Sequence, residues 1–520
     1  MSFFFPSGRK SLKKTHSLFF ISFFLSRPLF LLFKKKKKQE EEKEVPGAAA
    51  AAKNIPRKKV LTPDAKALAV ASSDPAAPPP DGTGFVLEAA LDLDRHAVAE
   101  VDFMPVYEAH LRRIVVEGVD AKGERRDRPL SGLHIVVDAG NGSGGFLATR
   151  VLAPLGADVS GSQFLEPDGT FPNHSPNPED KAAMRAAVAM VRAARADLGI
   201  VVDTDVDRSA VVGASGEPIN SNRYIALMAH IVLQKYPGTS VVTDSVTSDG
   251  LAEFIEARGG KHVRYRRGYR NVINKCVEIN NDPSNGDRCE LAMETSGHGA
   301  MAENYFLDDG TYSASQIVIM LARAVLAEEE EEAEEKKGKG QASPTAAATA
   351  APKGGEKPKR KKKSSARDIA HSALHSLKEP ADSVEIRMQV LGSSPAEISA
   401  TSQRTLQAFK DWIEGGGAGP SWSLEEVNHE GWRARVDESS GDGYDSASGG
   451  SGRIKGTRGW VLLRGSLHDP LLVLNAESSL ANGSCAIVEK VLEFFEKVAP
   501  AGAVDIDKLY DSASPCTLRL

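Results

Sequence analysis

Residues 203–208 read Asp-Thr-Asp-Val-Asp-Arg, so three carboxylates alternate along the chain and an arginine closes the run. The apolar run 198–202 precedes them and a second apolar run, 210–212, follows, which predicts a buried strand on each side. The acidic residues are therefore expected in a loop at a strand end, where open α/β sheets usually bind their ligands. The pattern thus predicts an α/β fold with a functional loop at one sheet edge.

Oxygen ligands on alternate residues can converge on one hard cation, so we predict that Asp203, Asp205 and Asp207 hold Mg²⁺. Arg208 can neutralise the surplus negative charge or bind a phosphate.

Three other interpretations of this loop were weighed. An EF-hand needs Gly at its sixth position and Glu at its twelfth, and the chain offers Arg208 and Ala214 there, which excludes it. A solvated acidic turn remains an alternative, although the flanking strands disfavour it. An aspartyl-phosphate phosphatase also opens Asp-x-Asp at a strand end, but no strong later acidic pair completes its site.

Composition sets limits on the rest of the chain. Its 520 residues are long enough for two to four domains, and the net charge of -5 gives no case for a nucleic-acid partner. The four cysteines are scattered without a C-x-x-C pair, which argues against a zinc site or a disulfide scaffold and fits a reducing compartment.

Residues 1–83 are not expected to form a globular domain. The Phe- and Leu-rich stretch 17–33 follows basic residues, as in a signal sequence or membrane anchor. Arg27 and Pro28 interrupt it, and it is shorter than the roughly 20 residues of a spanning helix, which disfavours an anchor. We expect a disordered targeting segment, such as a chloroplast transit peptide, or translated non-coding sequence, which leaves chloroplast or cytoplasm as the compartment.

Four further regions follow. Residues 84–130 form a remnant with a connecting helix, and residues 131–236 form a first α/β unit that opens on a buried strand and the Gly-rich turn 139–145. Such a turn can bring backbone N–H groups close to a phosphate. Residues 237–390 form a second unit with a disordered low-complexity insertion at 328–365. Residues 391–520 form a last domain with a flexible insertion at 437–458, and it ends in an amphipathic helix through Val488, Leu492 and Phe495.

The second unit contains a polar loop, Glu294-Thr295-Ser296-Gly297-His298, directly after a predicted strand. A carboxylate and a hydroxyl together can bind two vicinal sugar hydroxyls, so Glu294 and Ser296 are candidate sugar ligands. His298 can add a hydrogen bond or transfer a proton.

These motifs, in this order, resemble the α-D-phosphohexomutases, the phosphoglucomutase and phosphomannomutase family. The resemblance covers about 131–520 and rests on segments 139–145, 168–179, 203–208, 294–298 and 464–470. It implies tandem mixed-sheet α/β domains, numbered II and III, followed by a C-terminal α+β domain of the TBP-like type. It also implies Mg²⁺ as cofactor, a hexose phosphate or bisphosphate as partner, and phosphoryl transfer between the sugar 1- and 6-positions.

The resemblance also implies roles for further basic residues. Arg208, Arg266 and Arg270 join Glu294, Ser296 and His298 as substrate-binding candidates, and Arg464 with Ser466 belongs to the phosphate-binding loop. That loop departs from the family pattern, because Leu467-His468-Asp469 stands where Gly-Thr-Glu is common. The departure is similar to plant-type members.

The family's phosphorylated serine lies in a first domain, in a loop of the Ser-His-Asn-Pro type. No such loop occurs between Met1 and Gly132, and Ser175-Pro176-Asn177-Pro178 follows the Gly-rich turn and so matches a second-domain motif instead. We therefore expect no catalytic serine and no mutase activity in the chain as written. The alternative is a pseudoenzyme that binds Mg²⁺ and sugar phosphate; the identity of the sugar and the oligomeric state stay open.

Overall fold

The computed structural model describes residues 101–119, 127–282, 284, 286–340, 367–437, 458–466 and 469–517. All of them belong to one compact unit, Glu100–Leu520. The predictions for residues 1–83, for most of both insertions and for Leu467 and His468 fall outside the described residues.

The first α/β unit is built on a four-stranded sheet in the order β1-β2-β3-β4. Strands β1 and β2 are parallel, whereas β3 and β4 add antiparallel partners. The sheet and its helices are α1 (Met104–Val119), β1 (Ile135–Asp138), a π-helix (Leu147–Leu152), α2 (Lys181–Ala194), β2 (Leu198–Val202), β3 (Ser209–Gly213) and β4 (Pro218–Ile219). The predicted strands on both sides of the acidic loop are thereby confirmed, and each is wholly buried.

The second α/β unit has a four-stranded sheet in the order β6-β5-β7-β8, with the first three strands parallel. Its elements are α3 (Ser221–Lys235), β5 (Ser240–Thr243), α4 (Asp249–Ala257), β6 (Lys261–Arg264), α5 (Tyr269–Asn281), β7 (Cys289–Met293), β8 (Gly299–Met301), α6 (Gly310–Gly340) and α7 (Ile369–Leu374). Helix α3 packs on α4 and β7, so it belongs to the second unit. The predicted boundary at 236 would have placed this helix in the first unit. Ser248 caps α4 by accepting a hydrogen bond from the Leu251 amide.

Helix α6 corrects the predicted start of the insertion at Glu328. The helix continues through the acidic run to Gly340, because Glu, Ala and Lys are strong helix formers even in a low-complexity stretch. Its segment Gly310–Glu335 is, among the described residues, the one helix long and apolar enough to cross a membrane. Of an apolar 18-residue stretch within it, 72% is buried inside the protein.

The C-terminal domain is an antiparallel five-stranded sheet in the order β10-β11-β12-β13-β9, with helices beside it. Its elements are β9 (Asp382–Gln389), α8 (Pro395–Glu414), β10 (Trp422–Leu424), β11 (Trp432–Asp437), β12 (Arg458–Gly465), β13 (Leu471–Ser478), α9 (Gly483–Lys497) and α10 (Asp507–Thr517). The predicted fold class, tandem mixed-sheet α/β units followed by an α+β domain, is confirmed.

Two predictions for this domain need correction. The domain begins at Asp382 and not at 391, because β9 pairs along its whole length with β13. Helix α9 is present as predicted, but α10 follows it and buries Leu509 completely, so α9 is not the last element.

Among the described residues, two large hydrophobic cores hold these elements together, and two smaller clusters cover the outer faces of the α/β sheets under α2 and α5. Buried side chains of both α/β sheets, such as Ile200 and Leu291, belong to one continuous hydrophobic core. The C-terminal domain has its own core, in which Phe409, Trp412 and Phe494 contact one another. The two α/β units are therefore one packed body, to which the C-terminal domain is added.

The argument from scattered cysteines against a disulfide scaffold did not foresee that two of them pair. Cys276 in α5 and Cys289 in β7 form a disulfide with their Cα atoms 5.3 Å apart, and both side chains are fully buried. The pairing arises because α5 packs directly on β7, which the spacing of the two cysteines does not reveal. Cysteine usage therefore gives no support for a reducing compartment.

Candidate functional site

The three predicted metal ligands come together in the loop after β2. One carboxylate oxygen from each of Asp203, Asp205 and Asp207 lies within 4.8 Å of the others. Between the last two, Val206 has a φ of 64°, a left-handed conformation that is strained for a β-branched residue. The backbone of the loop is thus held in an unfavourable conformation that turns alternate carboxylates towards one point.

Arg208 binds the aspartates of its own loop. Its Nε donates to Asp203 Oδ2 at 3.0 Å, its backbone N–H donates to Asp203 Oδ1 at 3.1 Å, and Nε lies 3.8 Å from Asp207 Oδ1. The guanidinium also donates to Asn177 Oδ1 at 3.3 Å. Of the two predicted roles for Arg208, these contacts match charge neutralisation.

The charge balance of the cluster favours a bound cation. Burial, reinforced by Asp203, Asp308 and Asp205, raises the pKa of Asp207 to about 8, although His298 opposes the shift. Burial and the neighbouring Asp203 also raise the pKa of Asp205. Asp207 Oδ1 is buried and accepts no hydrogen bond from the described residues. The cluster therefore fits a divalent cation, because such an ion would stabilise all three ionised carboxylates and bind the unused oxygen.

His298, in the predicted sugar loop, lies next to the acidic cluster. Its Nδ1 is 2.7 Å from Asp308 Oδ2 and 3.6 Å from Asp207 Oδ2, and the Tyr269 ring stacks on the imidazole at a centroid distance of 5.1 Å. Burial alone would lower the pKa of His298, but the Asp308 and Asp207 carboxylates raise it overall. The imidazole is thus oriented by hydrogen bonding and biased towards its protonated form.

Glu294 and Ser296 lie in the same tight turn, where the Ser296 hydroxyl is an unused polar group. Glu294 Oε1 accepts a hydrogen bond from the Gly268 amide at 2.6 Å, and burial together with Asp244 raises the pKa of Glu294 to about 7. Ser296 Oγ is buried and has no hydrogen-bond partner among the described residues. An unsatisfied buried hydroxyl is unfavourable, so its retention next to a carboxylate is typical of a ligand site.

Main-chain contacts fasten the acidic loop to its neighbours. Arg208 pairs with His298 in an antiparallel bridge, and the Ser209 amide donates to the Gly297 carbonyl at 3.4 Å. On the other side, the Ser143 amide donates to the Thr204 carbonyl at 2.9 Å. A Cβ at Gly142 would lie 2.9 Å from Thr204 Cα, so only glycine fits there. The Gly-rich turn, predicted to approach a phosphate, here supports the metal loop.

The basic loop 266–270 differs from the prediction in its details. Arg266 and Arg270 are exposed and lie over the rings of Tyr265 and Tyr269, so the structure does not bring them into the cluster. Arg267 is mostly buried instead, with carboxylates of Glu179, Asp244 and Glu385 within 4 Å. Sequence reasoning missed this residue, and no local sequence signal separates it from Arg266 and Arg270.

The predicted phosphate-binding residues lie at the turn between β12 and β13. Arg464 is 4% exposed; its Nε has no hydrogen-bond partner within the described residues and lies 3.9 Å from Glu430 Oε1. The Ser466 amide donates to the Leu471 carbonyl at 2.8 Å, and Ser466 Oγ accepts from the Asp469 amide at 3.3 Å. Arg464 and Ser466 therefore lie on one turn, and the guanidinium retains a free donor.

A second buried arginine joins the C-terminal domain to the second α/β unit. Arg433 donates from Nη2 to Asp249 Oδ1 at 2.9 Å and from Nη1 to the Ser245 carbonyl at 3.0 Å. Its guanidinium lies 3.5 Å from the centroid of the Trp460 ring. These contacts fix the C-terminal sheet against the loop that opens α4.

Comparison with known families identifies both α/β units. The family model described as phosphoglucomutase/phosphomannomutase, alpha/beta/alpha domain II, matches residues 111–216, and that of domain III matches residues 220–336. The acidic loop lies in the first match, and the Glu294–His298 turn lies in the second.

Curated relatives match over the same region. A phosphomannomutase/phosphoglucomutase of Pseudomonas syringae pv. tomato is 35% identical over 192 residues, which are 37% of this chain and 39% of the relative. One from Pseudomonas aeruginosa is 32% identical over 228 residues, 44% of this chain and 45% of the relative. The chain thus spans less than half the length of these two curated relatives.

A solved structure extends the similarity of fold to more of the chain. A phosphoglucomutase/phosphomannomutase family protein from Burkholderia thailandensis superposes with a TM-score of 0.51 at 23% identity, covering 76% of this chain and 65% of that one. At this identity the match establishes the fold alone.

Proposed function

Because the chain belongs to the phosphohexomutase family, we propose that it binds Mg²⁺ and a glucose or mannose phosphate and takes part in phosphoryl transfer between their 1- and 6-positions. The observation that carries the proposal is the bridge between Arg208 and His298. It holds a three-carboxylate cluster, in which Asp207 Oδ1 has no hydrogen-bond partner among the described residues, beside a turn with the unpartnered hydroxyl of Ser296.

Asp203, Asp205 and Asp207 would hold the cation. When bound there, Mg²⁺ would supply electrostatic stabilisation of a phosphoryl group in transfer. Arg208 remains on the protein side of the cluster, where its two hydrogen bonds to Asp203 hold that carboxylate in its orientation.

The sugar would be bound by the turn after β7. Glu294 can accept hydrogen bonds from two vicinal hydroxyls, and the unpartnered Ser296 Oγ can donate or accept one more. His298 Nδ1 is occupied by Asp308, so Nε2 is the atom available to hold or move a proton at a sugar hydroxyl. Arg464 and Ser466 would bind the phosphate through a guanidinium and a hydroxyl.

A second candidate function is binding without turnover. It is kept because the family resemblance assigns the phosphoryl group to a serine of a Ser-His-Asn-Pro loop, and none of the segments that carry the resemblance (139–145, 168–179, 203–208, 294–298 and 464–470) is that loop. The two candidates share their metal, sugar and phosphate ligands and differ in whether a phosphoryl group moves.

The test uses the full chain with Mg²⁺, glucose 1-phosphate and mannose 1-phosphate. Binding is followed by calorimetry, and turnover by ³¹P NMR with glucose 1,6-bisphosphate as primer. Appearance of the 6-phosphate supports the mutase, whereas saturable binding without product supports the binding protein. Failure of the chain to bind either sugar phosphate in the presence of Mg²⁺ would overturn the proposal.

A further inference from the structure

Asp244 is a buried carboxylate to which the proposed function gives no role. It directly follows β5, an interior strand of the second sheet with β6 on one side and β7 on the other, and it is fully buried. The loops after β5 and β7 therefore flank the crevice in which open α/β sheets bind their ligands. Because a carboxylate is costly to bury, the contacts of Asp244 indicate what its retention serves.

The side chain of Asp244 is hydrogen-bonded to one residue of the polar turn after β7. Thr295 donates to Asp244 Oδ2 through its amide at 3.1 Å and through its hydroxyl at 2.7 Å. The other oxygen, Oδ1, is buried and has no hydrogen-bond partner in the described part of the chain. One oxygen of this buried carboxylate thus lacks a hydrogen bond, and the other holds Thr295.

Thr295 lies between Glu294 and Ser296, the two candidate sugar ligands of the turn. Its hydrogen bonds to Asp244 fix the main chain and the side chain of this residue against the loop after β5. The Gly297 amide closes the turn by donating to the Glu294 carbonyl at 3.1 Å. A turn that is anchored between its two ligands holds both of them, so Asp244 determines where the Glu294 carboxylate and the Ser296 hydroxyl lie.

Asp244 also acts on Glu294 through its charge. Burial and then the Asp244 carboxylate raise the pKa of Glu294 to about 7. The Gly268 amide, His298 and Arg267 oppose this shift of the pKa. Arg267 Nε lies 3.9 Å from Asp244 Oδ2 and offsets part of the negative charge of the two carboxylates. Near neutral pH the Glu294 carboxyl is therefore partly protonated, and it can donate a hydrogen bond to a sugar hydroxyl as well as accept one.

We propose that Asp244 is a positioning residue for a bound hexose phosphate. It holds the sugar turn in place through Thr295, and it controls the protonation of Glu294 through its charge. The assignment rests on the proposed function, because Glu294 and Ser296 are the sugar ligands there. In this role Asp244 acts through the turn and does not contact the sugar.

The first test separates the anchoring of the turn from the effect of charge, in the full chain. Calorimetry with glucose 6-phosphate and Mg²⁺ is run at pH 8.5, where Glu294 is ionised, so that the variants differ in the geometry of the turn. Thr295→Val and Asp244→Ala remove the shared hydrogen bonds and are expected to weaken binding about tenfold. Thr295→Ser and Asp244→Asn keep a donor and an acceptor, so they should restore the affinity to within about threefold of the wild type.

Thr247→Val is the matched control for a general loss of stability. The buried Thr247 hydroxyl donates to the Asp244 carbonyl at 2.9 Å, so the substitution removes a hydrogen bond of the same loop and leaves the Asp244 side chain in place. Its affinity for glucose 6-phosphate should stay within about threefold of the wild type. Equal losses in Thr247→Val and Thr295→Val would overturn the assignment. If Asp244→Ala does not fold, equal affinities of Thr295→Val and Thr295→Ser would overturn it as well.

A titration without ligand separates this assignment from the proposed function. ¹³C NMR of the Glu294 side-chain carboxyl follows its protonation as the pH is changed. Because the charge of Asp244 raises the pKa of Glu294, Asp244→Asn should lower the midpoint of this titration by about one pH unit, whereas Thr247→Val should leave it in place. The shift would support the assignment even if no sugar phosphate bound. An unchanged midpoint in Asp244→Asn would contradict it even if glucose 6-phosphate bound normally.

Discussion

Arg208 and His298 are paired through their main chains, which joins the acidic loop after β2 to the polar turn after β7. The same two loops approach each other through side chains, since His298 Nδ1 lies 3.6 Å from Asp207 Oδ2. A change at either loop is therefore transmitted directly to the other. Metal and sugar phosphate are expected to bind cooperatively, with sugar phosphate affinity rising when Mg²⁺ is added.

Asp205→Ala should abolish Mg²⁺ binding and leave the fold intact. Asp205 is the exposed member of the cluster, so its substitution should not disturb the loop. Asp203 is a poorer choice, because it also accepts hydrogen bonds from Arg208. Calorimetric titration with Mg²⁺ measures the effect. Asp158→Asn, an exposed carboxylate beside the start of β1, is the control and should bind Mg²⁺ normally. Undiminished affinity in Asp205→Ala would refute the metal-loop assignment.

Ser296→Ala should weaken sugar phosphate binding without lowering stability. Its Oγ has no partner in the described structure, so removing the hydroxyl deletes no internal hydrogen bond, whereas a bound sugar would lose a contact worth about tenfold in affinity. Thr295→Val is the contrasting variant, because Thr295 Oγ1 donates to the buried Asp244 at 2.7 Å. That change should lower the free energy of unfolding by about 1–3 kcal/mol. A lower free energy of unfolding for Ser296→Ala would contradict the finding that the Ser296 hydroxyl makes no internal hydrogen bond.

Glu477→Gln should stabilise the chain at alkaline pH only. Burial raises the pKa of Glu477 from 4.5 to about 7, so the folded state binds its proton more tightly than the unfolded state does. Stability is then lost as the pH rises from about 4.5 to 7, by an amount on the order of 3 kcal/mol. The amide can still accept the Trp460 Nε1–H bond and carries no charge. Urea unfolding should therefore show a higher free energy of unfolding for the variant than for the wild type at pH 8 and no difference at pH 4. An equal difference at both pH values would contradict a raised pKa of Glu477.

Arg433→Met should loosen the C-terminal domain. The substitution leaves Asp249 and the Ser245 carbonyl without their shared donor, at a cost of about 3 kcal/mol. Arg435→Met is the control. The Arg435 side chain is 67% exposed and its Nε lies 3.6 Å from Glu425 Oε1, so the change should alter the free energy of unfolding by less than about 1 kcal/mol. Hydrogen exchange of β11 and β12 reports the loosening. Similar exchange in the two variants would exclude a fastening role for Arg433.

Reduction should destabilise the second unit. The Cys276–Cys289 disulfide closes a loop with a sequence separation of 13, and loops of that size contribute about 3 kcal/mol. Thermal unfolding with and without dithiothreitol should differ for the wild type and coincide for the double variant Cys276→Ala/Cys289→Ala. An equal wild-type melting temperature with and without dithiothreitol would show that the disulfide contributes nothing to stability.

Local sequence patterns were sufficient for the elements that carry the site. Apolar runs on both sides of residues 203–208 and before Glu294 predicted buried strands, and a strand end fixes where the next residues lie. The strand end places Asp203, Asp205 and Asp207 in one loop, and the left-handed conformation of Val206 then brings their carboxylates together. The family resemblance added the order of the loops and the phosphate-binding turn.

The errors concern information that is not local. Arg266, Arg267 and Arg270 have identical chemistry, and only the packing of three domains selects which one is buried. The Cys276–Cys289 pair depends on helix-to-strand packing, and the membership of β9 depends on its pairing with β13, more than 80 residues later. In α6 two local rules conflicted: low complexity indicated disorder at Glu328, but the helix propensity of Glu and Ala prevailed.

The large core that both α/β sheets share determines which parts of this chain can be exchanged. Side chains from β2 and β7 pack in the same interior, so a graft that replaced one α/β unit would cut through that interior and leave half of it unmatched. The C-terminal domain brings a complete interior of its own, and its attachment includes a few charged side chains such as Arg433. A chimaera that exchanges residues after Asp382 should therefore fold, whereas one joined between the two sheets should aggregate.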